Sequence, residues 1–224
     1  MSKTQRFILS PSILNADLSM LKDEIQSLEA AGMDWVHLDV MDGVFVPNIS
    51  FAFPVLDAIK KITNKPIDAH LMIIRPDQYA SEFAKRGAEY VTIHPESDGN
   101  IEKAITDIQT AGAKAGLSIK PKTPAAELQK YSKYNISMAL IMSVEPGFGG
   151  QSFKEGVLPK FREVRKILGD DCILQIDGGI SEKTIKQAYD AGCESFVIGS
   201  ALTKLPFDKR KQAVEGYKRM LGII

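Results

Sequence analysis

The stretch Ala31-Gly32-Met33-Asp34-Trp35-Val36-His37-Leu38-Asp39-Val40 decides how this chain is read. An amphipathic run stops at a glycine, which enters the left-handed helix C-cap at no steric cost, and a β-rich run follows. The same order returns at Arg86-Gly87-Ala88-Glu89-Tyr90-Val91, at Ala111-Gly112-Ala113-Lys114-Ala115-Gly116-Leu117 and at Ala191-Gly192-Cys193-Glu194-Ser195-Phe196-Val197. Helix, glycine, strand is the second half of a βα unit.

Working outward, strands are expected at Arg6–Ser10, Trp35–Val40, Ile67–Met72, Tyr90–His94, Ala115–Ile119, Ser137–Ser143, Ile173–Ile176 and Phe196–Ile198. Helices are expected at Leu18–Ala31, Pro54–Ile62, Pro76–Arg86, Asn100–Ala111, Pro124–Tyr131, Lys154–Leu168, Ser181–Ala191 and Pro206–Leu221. Pro54, Pro76, Pro124 and Pro206 fall where a first helical turn tolerates them. The run Ser137-Met138-Ala139-Leu140-Ile141-Met142 is apolar on both faces, as in a buried parallel sheet. Eight such units in 224 residues predict an α/β fold, a single-domain (β/α)8 TIM barrel spanning residues 1–224. The rival, an open doubly wound sheet, lacks the GxGxxG that would follow its first strand. No Pro/Ser-rich linker divides the chain.

Composition narrows the function classes. Lys+Arg and Asp+Glu number 28 each, so no basic surplus exists for nucleic acid or an anionic membrane. No apolar run is long enough to span a bilayer, and Met1 to Ser10 lacks a secretory core. The basic stretch from Lys204 to Lys218, broken by Asp208 and Glu215, reads as a solvated helix face. Cys172 and Cys193 form no CxxC pair and are expected to sit reduced in the core. A cytoplasmic soluble protein follows, with homo-oligomerisation left open.

In such barrels the active site lies at the C-terminal ends of the strands. All three histidines, His37, His70 and His94, fall at or near such ends. Residues two apart in a strand share a face, so His37, Asp39 and Met41 project together, as do His70 and Met72. Asp177 closes the run Ile173-Leu174-Gln175-Ile176, where an unpaired carboxylate would be costly. His37, Asp39, His70 and Asp177 gathered at one mouth would make a divalent-metal site. Asp39 and Asp177, on opposite sides of that mouth, could also exchange protons with a substrate. The blander alternatives are a hydrogen-bonded wall histidine and an aspartate capping a turn. Asp42, out of phase with His37 and Asp39, is given the capping role.

Glycines supply a third element. Glu145-Pro146-Gly147-Phe148-Gly149-Gly150-Gln151 follows the sixth strand, Asp177-Gly178-Gly179 the seventh and Gly199-Ser200 the eighth. Barrels often bind phosphate with the amides of the last loops, and glycine lets the backbone approach an anion closely. A phosphate cup is expected there, with Gly147–Gly150 able to move as a lid. Met41, Met72 and Met142 would wall the site with apolar sulfur side chains that keep it dry.

Taken in order, Ser10-Pro11-Ser12-Ile13-Leu14, the run from His37 through Asp42-Gly43 to Pro47-Asn48, His70-Leu71-Met72, Pro146 to Gln151 and Asp177-Gly178-Gly179 resemble the ribulose-phosphate 3-epimerase family. The resemblance covers essentially the whole chain; the first and fourth segments are specific, whereas Asp-Gly-Gly alone is not. It implies interconversion of D-ribulose 5-phosphate and D-xylulose 5-phosphate in the pentose phosphate pathway. It also implies one divalent ion per subunit on His37, Asp39, His70 and Asp177, with zinc ahead of iron, manganese or cobalt. The family makes Asp39 and Asp177 the acid/base pair and puts Ser12 and His70 against substrate. Phosphate would lie on Gly147, Phe148, Gly149, Gly150, Gly178, Gly179, Gly199 and Ser200. Ala52, Lys122 and Ile198 depart from the family pattern, and the bulk of Ile198 is expected to tighten the floor of the cup.

Three rivals stay open at this point. An allulose 6-phosphate 3-epimerase would keep the chemistry and lengthen the sugar, against which Ile198 argues. A Schiff-base aldolase would use Lys120, provided its pKa were unusually low. A non-catalytic phosphosugar-binding protein would have no use for an opposed acid and base.

Overall fold

Strand positions alternate between two environments, and this alternation builds the fold. The computed structural model describes residues 5–224; the first four positions of the expected 1–224 span lie outside the described residues. Its strands are β1 (Ile8–Pro11), β2 (Val36–Met41), β3 (Ile67–Met72), β4 (Tyr90–Ile93), β5 (Lys114–Ile119), β6 (Met138–Met142), β7 (Ile173–Asp177) and β8 (Ser195–Ile198). They form one parallel sheet in the order β1-β8-β7-β6-β5-β4-β3-β2. A parallel bridge between Ser12 and His37 brings β1 back to β2, and the Trp35 N–H donates to the Leu9 carbonyl at 3.1 Å. The sheet is thereby curled into an eight-stranded barrel.

Outward positions such as Leu38, Leu71, Val91, Leu117, Ile141, Ile176 and Phe196 are buried against the surrounding helices in one apolar cluster. Each large apolar side chain so buried contributes about 1.5–3 kcal/mol. Inward positions differ from bottom to top. Trp35, Tyr90, Met138 and Ile173 plug the N-terminal end, with the Trp35 and Tyr90 rings stacked at 4.5 Å. Above that plug the interior turns polar, and this polarity positions the site.

The helices are α1 (Leu21–Ala31), α2 (Phe53–Ile62), α3 (Pro76–Lys85), α4 (Ile101–Thr110), α5 (Pro159–Leu168), α6 (Ile185–Asp190), α7 (Ser200–Thr203) and α8 (Phe207–Met220). Gly32 closes α1 at φ 96°, donating to Glu29 O while Met33 N–H reaches Leu28 O. This is the cap the sequence predicts, and only glycine adopts that φ freely. The same cap follows α3, α4 and α6 at Gly87, Gly112 and Gly192.

Some expected helices are shorter or tighter. Pro124–Tyr131 is a 3-10 segment over Ala125–Tyr131, and the first turns of Leu18–Ala31 and Lys154–Leu168 are 3-10 turns at Leu18–Met20 and Glu155–Val157. In Ser181–Ala191 the Thr184 hydroxyl accepts from Ser181 N–H at 3.0 Å and donates to Gly179 O at 2.9 Å. Side-chain bonds of this kind compete with helix formation, and α6 begins only at Ile185. The four-residue α7 after β8 has no counterpart in the sequence reading.

The Lys204–Lys218 stretch is not uniformly solvated. Arg210 is 1% exposed and shares a buried face of α8 with Val214 and Tyr217. Its guanidinium lies 2.7 Å from Glu24 Oε2 and donates to Ser27 Oγ and to Thr203 O, tying α8 to α1 and α7. Helical periodicity turns this one cation inward. Cys172 and Cys193 are free and buried beside β7 and β8, as expected, and burial pushes the Cys172 thiol up to about 12.

Candidate active site

His37 and Asp39 stand on the inward face of β2, His70 on β3 and Asp177 at the end of β7. Register does the gathering: Asp39 lies opposite His70 across β2 and β3. One donor atom from each of the four residues lies within 4.8 Å of the others. Asp39 Oδ1 is 3.3 Å from His37 Nε2 and 3.3 Å from His70 Nδ1, and Asp177 Oδ2 is 4.0 Å from the same His70 nitrogen. Ser12 donates its hydroxyl to Asp39 Oδ2 at 2.6 Å.

A direct test of fit to a metal comes from His37 Nε2. It is buried, faces the cluster and has no hydrogen-bond partner, because its approach to Asp39 lacks hydrogen-bond geometry. A buried imidazole nitrogen left bare costs free energy unless something else occupies its lone pair. Two imidazoles and two carboxylates converging there form a donor set that suits a divalent transition metal.

Electrostatics separates the two carboxylates. Burial alone would raise Asp39, but His37 and His70 beside it hold its carboxyl well below the usual range. Asp177 moves the other way: burial, then the Asp39 charge, push it up to about 6. Burial would depress His37, yet without a metal the Asp39 and Asp68 carboxylates raise it well above its ordinary value, so a divalent ion would have to displace a proton from Nε2.

Above the cluster opens a cleft of about 320 Å³. Ser12, Asp39 and Asp177 reach it, as do Gly147, Phe148, Gly149, Gly150, Gly178, Gly179, Gly199 and Ser200. Met41, Met72 and Met142 line it too, forming the expected apolar wall. His37 and His70 are fully buried beneath this lining.

Residues 8–203 match the ribulose-phosphate 3 epimerase family. The chain belongs to that family. A ribulose-phosphate 3-epimerase from Mycobacterium tuberculosis (strain ATCC 25618 / H37Rv) is 46% identical over 220 residues, covering 96% of this chain and 93% of the relative. One from Synechocystis sp. is 41% identical over 208 residues, covering 91% and 90%. At 17% identity, the solved structure of KGPDC from Streptococcus mutans superposes with a TM-score of 0.71 over 97% of this chain and 98% of its own, a likeness of fold. The protein is therefore an enzyme of the isomerase class, an epimerase on a TIM barrel.

Each imidazole of this epimerase is held from behind. His37 Nδ1 lies 2.8 Å from Asp68 Oδ2, and a carboxylate can only accept, so Nδ1 carries the proton and Nε2 faces the cluster. Gln175 Nε2 donates to the same Asp68 oxygen at 2.7 Å and to Ser195 Oγ at 3.0 Å. His70 Nε2 is 2.8 Å from His94 Nε2, and His94 Nδ1 is 3.3 Å from Glu96 Oε2. Burial lowers His94 to about 4; burial would raise Glu96, but the His94 hydrogen bond leads the effects that bring it to about 2.

Sequence reading gave no role to Asp68, Gln175 or Glu96, and left His94 as a strand-end residue. A signal was present: Asp68 and Gln175 lie two positions before His70 and Asp177, on the same strand faces. Asn15 was also missed. It lines the cleft, and a Cβ on Gly149 would sit 2.5 Å from its Nδ2, so only a hydrogen fits between them.

Asp42 takes the capping role, accepting from the Val44, Phe45 and Ile74 amides. Ile198 is corrected. It belongs to the outer apolar cluster, and Val197 lines the cleft instead, because Ser195, Val197 and Gly199 share the inward parity. Ile198 therefore exerts no preference for a shorter sugar. Lys120 lies outside the cleft lining, with its Nζ 3.8 Å from the centre of the Phe45 ring.

The cup is shaped by close approach. Gly178 has φ 113° and Gly179 φ 62°, and a Cβ on Gly179 would come within 2.7 Å of the Phe153 nitrogen. The loop after β6 is braced across the mouth, where Asn48 Nδ2 donates to Gly147 O at 2.7 Å. Gln151 Nε2 closes it internally on Glu145 O and Phe148 O.

Proposed function

We propose that the enzyme interconverts D-ribulose 5-phosphate and D-xylulose 5-phosphate, a step of the pentose phosphate pathway, by proton transfer at C3 between two carboxylates. The observation that carries this reading is the meeting of Asp39 and Asp177 with His37 and His70 at the mouth of the barrel, in a chain of this epimerase family. Asp39 is held ionised and Asp177 is raised to about 6. Environments that push paired groups apart assign the base and the acid. Asp39 is then the acceptor for ribulose 5-phosphate, and Asp177 the donor from the opposite face of C3.

His37, Asp39, His70 and Asp177 would hold one divalent ion, with zinc the first candidate and iron, manganese or cobalt the alternatives. When bound, it supplies charge stabilisation for the enediolate that C3 deprotonation leaves. Ser12, donating to Asp39, orients that carboxylate towards the cleft. The methionine wall excludes water, which strengthens the electrostatics around C3. The glycine loops at 147–150, 178–179 and 199–200 would receive the phosphate, and a remote phosphate contributes binding energy to the step at C3. Two free buried cysteines suit a reducing, cytoplasmic setting. Among the described residues no helix is long and apolar enough to cross a membrane.

The test is exchange in heavy water, with metal content measured on the same samples. The wild-type enzyme should place solvent deuterium at C3 of the product epimer. Metal-replete Asp177→Asn should still exchange the C3 hydrogen of ribulose 5-phosphate without net inversion. Epimerisation by that variant at the wild-type rate would overturn the two-carboxylate assignment. Comparing turnover on ribulose 5-phosphate and allulose 6-phosphate fixes the sugar length.

A further inference from the structure

His70 and His37 offer different nitrogens to the same cluster, and the reason lies behind them. His70 directs Nδ1 at Asp39 and Asp177 and Nε2 at His94. Two imidazole nitrogens 2.8 Å apart can share only one proton, so one donates and the other accepts. Which of them donates is decided one residue further out. Glu96 Oε1 accepts from the Lys120 N–H at 2.9 Å and from the Thr123 hydroxyl, and Glu96 Oε2 faces His94 Nδ1. A carboxylate there can only accept, so His94 carries its proton on Nδ1 and presents a bare Nε2. His70 must then keep a proton on Nε2 as donor to His94, so the proton a divalent ion would displace from it is the one that Asp39 Oδ1, 3.3 Å away, accepts from Nδ1.

We propose that His94 and Glu96 are positioning residues that hold a proton on His70 Nε2 and so leave Nδ1 as the nitrogen able to ligate the divalent ion. The inference rests on the metal centre proposed above. It differs from the support of His37, where one carboxylate, Asp68, does the same work directly. A metal-ligating imidazole is tuned by the partner of its other nitrogen, and loss of such a partner typically costs 10–100-fold in affinity. Here that partner is itself a histidine, which can be turned around by a single amide.

Glu96→Gln makes the test sharp because it changes almost no volume. The Lys120 N–H requires an oxygen at the Oε1 position, so the new amide nitrogen faces His94 Nδ1 and donates to it. His94 is forced to carry its proton on Nε2, His70 must accept at Nε2, and its Nδ1 becomes protonated towards the cluster. His94→Gln is the conservative control, because an amide oxygen can still accept from His70 Nε2–H.

The metal-free proteins are compared by 15N NMR of the histidine rings, and zinc affinity is measured by competition with a chromophoric chelator. The expected result is a protonated His70 Nε2 in the wild type and a bare Nε2, with the proton on Nδ1, in Glu96→Gln. Zinc binding should weaken about 10–100-fold in Glu96→Gln and stay within about threefold in His94→Gln. A wild-type His70 with a bare Nε2, or a Glu96→Gln variant with unchanged Nε2 protonation and zinc affinity, would overturn the proposal. If the wild type carries the Nε2–H tautomer yet takes up no divalent ion, the tautomer-setting pair is supported and the metal reading fails.

Discussion

On the β2–β4 side of the barrel mouth the site is built from side chains, and on the β6–β8 side from backbone. His37, Asp39 and His70 are 0–4% exposed, and each is fixed by a partner on, or one residue past the end of, another strand. Opposite them, the loops after β6, β7 and β8 present glycines, and Phe148 at the tip of the first is 56% exposed. The contrast follows from what each half would bind. A small cation needs a few donors at fixed distances, and side chains locked by hydrogen bonds supply them. A phosphate needs many N–H groups around a larger anion, and backbone without side chains can approach it closely. Asp177 sits on the seam, last in β7 and next to Gly178, and it is the carboxylate with the raised pKa.

The comparison can be broken first on the side-chain half. Asp39→Asn removes the proposed acceptor and a proposed ligand together, and kcat should fall on the order of 10²–10⁴-fold with the fold retained by circular dichroism. Asp68→Asn touches no substrate. It should weaken zinc binding about 10–100-fold in a chelator competition while KM for the phosphosugar holds in metal-saturated enzyme.

Acid should act on the same half. The proposed metal would require an ionised Asp177 and a deprotonated His37 Nε2, so apparent affinity should fall at least about tenfold for each pH unit below about 6. The sign for stability is the reverse in metal-free protein. A folded-state pKa raised from 3.8 to about 6 contributes stability below the lower value, and that contribution is lost as pH rises through the upper one. Thermal unfolding of the metal-free chain across that window should show this loss, and added zinc should remove it.

The backbone half should answer in KM rather than in metal content. Gly179→Ala drives a Cβ into the Phe153 backbone, and KM should rise about tenfold, equivalent to about 1.4 kcal/mol of phosphate binding. Gly150→Ala is the smallest change. Its φ of 81° strains an alanine by about 1–2 kcal/mol, but nothing lies within 4 Å, so KM should move about threefold or less. If the two glycine variants behave alike, close approach is not what shapes the cup.

Much of this was legible in the sequence because it depends on local rules. Four glycine caps and eight apolar runs gave the barrel, since helix termination and strand parity are properties of neighbouring residues. The same parity put His37 with Asp39 and predicted the methionine wall. Parity applied more strictly would have exchanged Ile198 for Val197, and would have drawn attention to Asp68 and Gln175.

Tertiary structure alone decided what depends on register between strands distant in sequence. Nothing local says that Gln175 donates to Asp68 across 107 positions, or that Arg210 closes on Glu24. Nor does the sequence reveal which nitrogen each histidine presents, because that is fixed by the group behind it: a carboxylate for His37, a second imidazole for His70. Residue type and spacing determined which groups could meet at the mouth of the barrel. Barrel closure and hydrogen-bond complementarity decided their distances, their tautomers and the opposite proton affinities of Asp39 and Asp177, because those are set by burial and by neighbours that only the folded chain brings together.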